Sequence, residues 1–178
     1  MALQYNVAQF LKTDVGHVTT FDFQSDALME LDEAAVAGAI RGHAKFILTN
    51  LEILAQVDAS AILHLTCARC LEPFRTPVTV DFEEEFQPSV DILTGSPLSA
   101  PSSDVIFTLT QNHTLDLREP LRQNLLLAID MIPLCSGGCK GLCPTCGTNL
   151  NENTCACPTP EDPNPFRVLQ ELLTESDR

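Results

Sequence analysis

Basic residues are scarce in this sequence of 178 residues. It contains ten Lys and Arg against 24 Asp and Glu, which gives a formal net charge of −14 at pH 7. Phosphate backbones are bound by clustered Lys and Arg, so this balance argues against a protein that coats nucleic acid generally. The length and the apolar fraction of 44% are those of a folded chain with its own core.

Long apolar runs are also missing. Residues 125–129 (LLLAI) are typical of the longest run, whereas a membrane helix needs about 20 apolar residues. The first residues lack the basic flank and apolar stretch of a secretory signal. We therefore expect a cytoplasmic protein that has no membrane partner.

Catalytic signatures are absent as well. The sequence contains no GxSxG, GxxxxGK[ST], HExxH or GxGxxG motif. The glutamates 83–85 are more typical of a solvated strand end that guards a sheet edge, and the four histidines are scattered (His17, His43, His64 and His113). Without a general base beside a nucleophile, the sequence predicts no enzyme and no small-molecule substrate.

Cysteine, in contrast, is abundant. Two cysteines lie in the middle of the chain and six are crowded near its C-terminus: Cys67, Cys70, Cys135, Cys139, Cys143, Cys146, Cys155 and Cys157. A chain of this size in a reducing compartment does not need disulfides. Metal ligation is the better interpretation, and the spacing supports it.

The segment Cys143-Pro144-Thr145-Cys146-Gly147 is typical of a zinc knuckle. Pro144 presets φ for a tight turn, and Gly147 can adopt a positive φ directly after the second thiolate. Cys67 and Cys70 have the same spacing, but Leu71 stands where the glycine would be. Two CxxC pairs with four further cysteines are a much stronger signal than one pair alone.

Eight cysteines fit two four-cysteine zinc sites. We predict that Cys67, Cys70, Cys135 and Cys139 form site 1, and that Cys143, Cys146, Cys155 and Cys157 form site 2. The rival division joins the two CxxC pairs in one site. Iron–sulfur ligation, redox catalysis by a CxxC pair and unligated buried cysteines are further alternatives.

Alternation of apolar and polar residues with a period of two predicts antiparallel strands. It occurs in 18–23, 40–48, 51–57, 61–65, 78–83 and 105–109, with turns at Asn50, at Asp58 and over 73–77. Residues 26–35 suit a turn or a short helix, and 87–104, rich in Ser and Pro, suit a surface loop.

A helix is predicted from Asp116, with Glu119 as its capping-box partner, as far as Ile132 before Pro133. A second, short helix would follow Asn164. The fold class is α+β: an antiparallel β-sheet, a helix leading into the C-terminal zinc-binding cysteine cluster, and a short C-terminal helix. We expect a body over 1–133, a cysteine-rich segment over 134–158 packed on it, and a C-terminal helix or tail over 159–178.

Charge is distributed unevenly. Residues 134–151 contain one charged residue, Lys140, and no acid. If the cysteine groups meet in space, the zinc end is the least acidic surface, and Arg69, Arg75, Lys140, Asn149 and Asn151 are candidate partner contacts. A structural explanation remains open, because short ligand loops leave little room for charges.

The segment 67–74 (CARCLEPF) resembles the CxRCLxPF signature of the YceD family, which is named for large ribosomal RNA subunit accumulation. Residues 139–151 (CKGLCPTCGTNLN) resemble the family's CxGLCPxCGxxLN segment, and 162–169 (DPNPFRVL) resemble its C-terminal element. These matches occur in the family's order and span about residues 35–174.

The resemblance implies a non-enzymatic role in biogenesis of the large ribosomal subunit. The expected partner is the precursor subunit, through ribosomal RNA, a basic ribosomal protein or both, and the expected cofactor is two Zn²⁺ per chain. The resemblance also favours separate sites for the two CxxC pairs, since family members with a shortened C-terminal cluster keep the CxRC element. The alternatives are a zinc-dependent protein-interaction or redox-sensing module and, less favoured, an enzyme with an open metal site.

Overall fold

A computed structural model describes residues 3–26, 30–31, 34–50, 52–98 and 107–158. These residues form nine strands, one helix and a short 3₁₀ turn at Phe10–Lys12. The strands are β1 Gln4–Asn6, β2 Val18–Ser25, β3 Glu30–Leu31, β4 Ala34–Val36, β5 Ile40–Leu48, β6 Ile53–Thr66, β7 Pro73–Gln87, β8 Phe107–Thr108 and β9 Thr114–Asp116. The helix, α1, is Arg118–Leu127.

One large sheet forms the centre of the described structure. Strands β2, β5, β6 and β7 are antiparallel neighbours in that order, and the β3–β4 pair joins β6 beyond the end of β5. A short parallel pair between β7 and β8 makes the sheet mixed, and β1 pairs with β9 separately. The predicted antiparallel sheet with a helix is therefore confirmed in outline.

Strand β6 is a single strand of 14 residues, so the predicted turn at Asp58 is wrong. All of its odd-numbered residues from Ile53 to Leu65 are buried, whereas Asp58 lies exposed on the other face, opposite Asp81 of β7. A polar residue on the solvent side of a strand does not interrupt the backbone pairing of that strand with its neighbours. The predicted turn at Asn50 is confirmed, because β5 ends at Leu48 and β6 begins at Ile53.

Strand β7 has 15 residues and includes Pro73 and Pro77, so the turn predicted over 73–77 is also wrong. The carbonyl of Gln87 accepts a hydrogen bond from the N–H of Leu109, on the side of β7 away from β6. Backbone groups alternate between the two sides of a strand, so both prolines, an even number of residues earlier, present their nitrogens to the same open edge. A missing N–H is tolerated there.

The core lies on one face of the sheet. Phe46 and Phe86 are almost completely buried, and Leu121 and Leu125 of α1 join the same apolar cluster. Leu3 and Leu115, beside β1 and within β9, belong to it as well. The opposite face of β5, β6 and β7 is largely open to solvent.

Helix α1 ends at Leu127, well before the predicted end at Ile132, and Met131 and Ile132 are exposed. Its start also differs from the prediction. Asp116 lies in β9 and accepts a hydrogen bond from the N–H of Arg118, while the Glu119 carboxylate pairs with Arg122 instead of capping the helix. The chain therefore leaves the helical conformation five residues before the end that the apolar spacing predicted.

Two predictions are not tested by the described residues. The short helix after Asn164 lies outside the described residues, and the division into body, cysteine-rich segment and tail stays a prediction. Residues 30–31 and 34–36 form a small antiparallel pair instead of a helix. Within the described part of the chain, no helix is long and apolar enough to cross a membrane.

Candidate metal centres

The turn between β6 and β7 carries the first CxxC pair. The N–H of Cys67 donates to the carbonyl of Glu72 at 2.9 Å, and the N–H of Leu71 donates to the carbonyl of Cys67 at 2.9 Å. Leu71 adopts a left-handed conformation with φ of 60°. The turn therefore brings both sulfurs to the same side of the chain.

The second CxxC turn repeats this geometry. The N–H of Cys143 donates to the carbonyl of Thr148 at 2.8 Å, and the N–H of Gly147 donates to the carbonyl of Cys143 at 2.9 Å. Gly147 has φ of 73°, as expected from its position after the second cysteine. The two turns have the same hydrogen-bond pattern although only one of them contains the glycine.

The structure brings Cys135 and Cys139 to the first turn. The four sulfur atoms of Cys67, Cys70, Cys135 and Cys139 lie within 4.8 Å of one another. The Sγ atoms of Cys67 and Cys139 are 3.8 Å apart, and those of Cys70 and Cys135 are 3.7 Å apart. Cys67, Cys70 and Cys139 are buried, whereas Cys135 is exposed.

These separations suit a tetrahedral metal ion. Zinc–sulfur bonds of about 2.3 Å imply tetrahedron edges of roughly 3.8 Å, whereas a disulfide would bring two sulfurs to about 2.05 Å. All eight cysteines are free thiols, and both groups consist of cysteine alone. A set of four sulfurs fits a soft or borderline ion such as zinc, and leaves no coordination position for a substrate.

The remaining four cysteines form the second group. The sulfurs of Cys143, Cys146, Cys155 and Cys157 also lie within 4.8 Å of one another. Cys146 is exposed, while Cys155 and Cys157 are half-buried. The rival arrangement, in which the two CxxC pairs share one site, does not occur among these groups.

The two groups adjoin through residues 139–143. The Arg69 guanidinium donates to the carbonyl of Cys139 at 3.0 Å, and the N–H of Leu142 donates to the carbonyl of Arg69 at 3.2 Å. Gly141 packs against this backbone, since a Cβ there would lie 3.1 Å from the Arg69 carbonyl oxygen. The N–H of Ala68 also donates to the carbonyl of Pro133 at 2.8 Å. The first turn is thus held on two sides by the C-terminal segment.

Two asparagines predicted as partner contacts have a structural role here. The Asn151 amide donates to the sulfur of Cys139 at 3.4 Å, and its carbonyl oxygen accepts the N–H of Lys140 at 2.8 Å. The Asn149 side chain in turn accepts the N–H of Asn151 at 3.1 Å. The sequence reasoning missed this role, although two asparagines spaced two apart beside a cysteine pair are a usable signal.

The three predicted basic contacts all lie on the exposed surface. Arg69 is within the first turn, and Lys140 is between the two cysteine groups. Arg75 lies on the solvent face of β7, opposite His64. None of the three takes part in an ion pair with a described residue.

Hydrogen bonds to sulfur favour ionisation of two thiols in site 1. The N–H groups of Cys135 and Cys70 lower the pKa of Cys67 to about 6, and the Asn151 amide lowers the pKa of Cys139. The pKa of Cys70 rises to about 12, because burial and the neighbouring thiols outweigh the N–H of Glu72.

Site 2 likewise contains thiols with a lowered pKa beside a thiol with a raised pKa. Hydrogen bonds from Thr148 lower the pKa of Cys146 to about 6, and the N–H groups of Cys146 and Thr145 lower the pKa of Cys143. The neighbouring sulfur of Cys146 raises the pKa of Cys157 to about 12. In each site, a bound cation would also favour loss of the proton from the thiols whose pKa is raised.

Comparison with known proteins finds a family whose model matches the part of the chain that carries both cysteine groups. The family model described as "Large ribosomal RNA subunit accumulation protein YceD" matches residues 55–173, about two thirds of the chain. This range includes β6 except for its first two residues, all of β7 and α1, and all eight cysteines.

Several curated proteins are similar over part of their length. An uncharacterised protein of Mycobacterium tuberculosis is 30% identical over 111 residues, which cover 62% of this chain and 51% of the relative. The chloroplastic "Large ribosomal RNA subunit accumulation protein YCED homolog 1" of Zea mays is 26% identical over 119 residues, covering 54% and 41%. Its Arabidopsis thaliana namesake is 33% identical over 58 residues, covering 33% and 18%. The chain thus spans about half or less of the length of these relatives, and no solved structure matches it.

Loss of one ligand should have unequal effects at the two sites. Site 1 joins the β6–β7 turn to the C-terminal segment, so Cys139→Ser should lower the free energy of unfolding by about 4 kcal/mol or more. Cys155→Ser, the same chemical change in the more local site 2, should leave the unfolding of the sheet close to wild type. Urea unfolding followed by far-ultraviolet circular dichroism measures both, and equal losses would contradict this assignment.

Zinc affinity should rise with pH. The pKa values of Cys70 and Cys135 in site 1, and of Cys155 and Cys157 in site 2, are raised, so each site holds two protons that the metal must displace. Binding near pH 7.5 should therefore release about two protons per site. As the pH falls through about 6, Cys67 and Cys146 also become protonated, and the metal-dependent stability, which is present above this range, should be lost. Calorimetry in two buffers of different ionisation enthalpy counts the protons; a release of none would refute the prediction.

Proposed function

The chain belongs to the YceD family, and from that premise we propose that it supports accumulation of large-subunit ribosomal RNA by binding the precursor of the large ribosomal subunit. The observation that carries this proposal is the family match over residues 55–173, which includes both cysteine groups. The plant relatives carry names that describe the same role for those proteins.

The role we propose is that of a binding factor, not an enzyme. The family description names accumulation of an RNA and no reaction. Four cysteines per group would saturate a zinc ion and leave no open position for water or substrate. The eight cysteines would hold two Zn²⁺ per chain, Cys67, Cys70, Cys135 and Cys139 in site 1 and Cys143, Cys146, Cys155 and Cys157 in site 2, and these ions would stabilise the fold.

The end of the molecule that carries both cysteine groups, here called the zinc end, is the proposed contact surface. Arg69, Arg75 and Lys140 are exposed there, and residues 134–151 contain no acid. The acidic remainder of the chain opposes RNA, so RNA contact would be local. A basic ribosomal protein could approach the acidic body at the same time.

The proposed compartment is the cytoplasm, where reduced thiols favour zinc over disulfides. The alternative is a zinc-dependent protein-interaction or redox-sensing module unrelated to ribosomes. The family match does not favour it, because the description concerns ribosomal RNA.

Association with the large subunit should depend on salt and on the zinc end. In a sucrose gradient at low salt the chain should sediment with precursor large subunits, and its depletion should lower the level of large-subunit RNA. Lys140→Ala should reduce the slope of log K against log salt by about one if Lys140 contacts a phosphate. Lys12→Ala removes an exposed lysine from the 3₁₀ turn instead and serves as the matched control.

The proposal fails if the chain stays at the top of the gradient at low salt and its depletion leaves large-subunit RNA unchanged. Equal effects of Lys140→Ala and Lys12→Ala would place the contact elsewhere than the zinc end.

A further inference from the structure

Strand β7 leaves most of one backbone edge unpaired within the described part of the chain. It pairs with β6 over residues 73–86, but on its other side it pairs with β8 only at its last two residues. Odd-numbered residues of β7, like Gln87, turn their N–H and C=O groups to this other side. Pro73 and Pro77 interrupt the row of N–H groups, which is continuous over residues 79–85. These residues are here called the open edge.

The exposed side chains of the open edge are mostly acidic. Asp81, Glu83 and Glu85 lie on the solvent face of the sheet, at every second residue of the strand. Asp58 of β6 lies directly opposite Asp81, and like charges in this position are destabilising. None of these acids forms an ion pair with a described residue. Glu84, on the other face of β7, is a further acid of the same stretch.

The described cations around the open edge are either paired or distant from it. Arg118 and Arg122 of α1 form ion pairs with Asp116 and Glu119. On the solvent face, the cationic side chains nearest in register, Arg41 and Lys45, belong to β5. Because β6 separates β5 from β7, they lie about 10 Å from the edge. Arg75 lies on β7 itself, but before Pro77.

Charge therefore selects among the candidate occupants of this edge. RNA phosphates would be repelled by Asp81, Glu83 and Glu85. A second copy of the chain, paired edge to edge, would bring the same carboxylates together, which is how charged side chains guard an edge against self-association. A strand with Lys or Arg at alternate positions would instead place its cations beside these acids, with Cβ atoms about 5 Å apart.

We propose that the open edge of β7 binds an extended, basic segment of a partner protein, which joins the sheet as a further strand and places Lys or Arg beside Asp81, Glu83 and Glu85. Backbone hydrogen bonds would supply affinity, and the acids would select the partner. This inference rests on the proposed function, under which the partner is a basic protein of the large ribosomal subunit. It assigns that protein a surface other than the zinc end.

Amide exchange in the presence of a basic peptide tests the pairing residue by residue. The probe is a short synthetic peptide that alternates lysine with threonine, a residue that favours strands. When the peptide is bound, exchange of the odd-numbered amides of residues 79–85 should slow about tenfold or more. The even-numbered amides of the same stretch already face β6 and should change little, so they serve as the internal control. Nuclear magnetic resonance measures both sets in one experiment.

A second peptide separates strand pairing from attraction between charges. The same sequence with every backbone amide N-methylated keeps its positive charge but has no N–H to donate to the edge. It should bind about tenfold more weakly or worse. Equal affinity of the two peptides would mean that charge alone holds the peptide, and the proposed strand addition would be wrong.

A charge variant of the edge tests the acids. Combining Asp81→Asn, Glu83→Gln and Glu85→Gln should weaken binding of the lysine peptide about tenfold. The melting temperature should not fall, because the carboxylate opposite Asp58 is removed. The matched control changes net charge equally at exposed acids outside β6, β7 and β8, by combining Asp14→Asn, Asp26→Asn and Glu152→Gln. It should bind the peptide within about twofold of wild type.

Two outcomes besides equal binding of the edge variant overturn the inference. Slow exchange of the odd-numbered amides in the free chain would mean that the chain itself or a second copy covers the edge. In sucrose gradients, the edge variant should sediment less with precursor large subunits than the matched control does, and equal sedimentation would also overturn the inference. If the wild-type chain itself stays at the top of the gradient, the proposed function fails, which is a different result from failure of the edge variant alone.

Discussion

The close approach of four sulfurs in site 1 is the constraint on which the zinc end depends. Cys67 and Cys70 come from the β6–β7 turn, and Cys135 and Cys139 come from far along the chain, yet sulfurs of the two pairs lie 3.7 and 3.8 Å apart. Two thiolates at such a distance repel by about 4 kcal/mol at an effective dielectric constant of 20. A cation at the centre would convert this repulsion into a cross-link between the sheet and the C-terminal segment.

Hydrogen bonds support the same arrangement. The turn is hydrogen-bonded through Ala68 to Pro133 and through Arg69 to Leu142, and Asn151 adds a hydrogen bond to the sulfur of Cys139. Site 2, closed by residues near one another in sequence, then extends the same end of the molecule. The result is a set of short, braced loops that carry Arg69 and Lys140 on a chain that is otherwise strongly acidic. Under the proposed function, this end would be a local contact surface on a chain whose acidic remainder repels RNA.

The sequence predicted the outline of this arrangement because strand alternation and cysteine spacing are local signals. It did not predict the length of β6, since Asp58 looks like a turn residue until its exposed face is known. The turn predicted at Pro77 is wrong for a related reason, because only the sheet topology shows that its nitrogen faces an open edge. Helix α1 stops early as the chain continues toward site 1, which is a long-range requirement that apolar periodicity does not express. The role of Asn151 likewise needs the three-dimensional position of Cys139.

Metal analysis combined with X-ray absorption on the purified chain would show directly whether the eight cysteines hold two metal ions. We expect two zinc ions per chain, each with four sulfur neighbours at about 2.3 Å. A single zinc, iron in place of zinc, or nitrogen and oxygen atoms among the ligands would contradict the division of the eight cysteines into two four-sulfur sites.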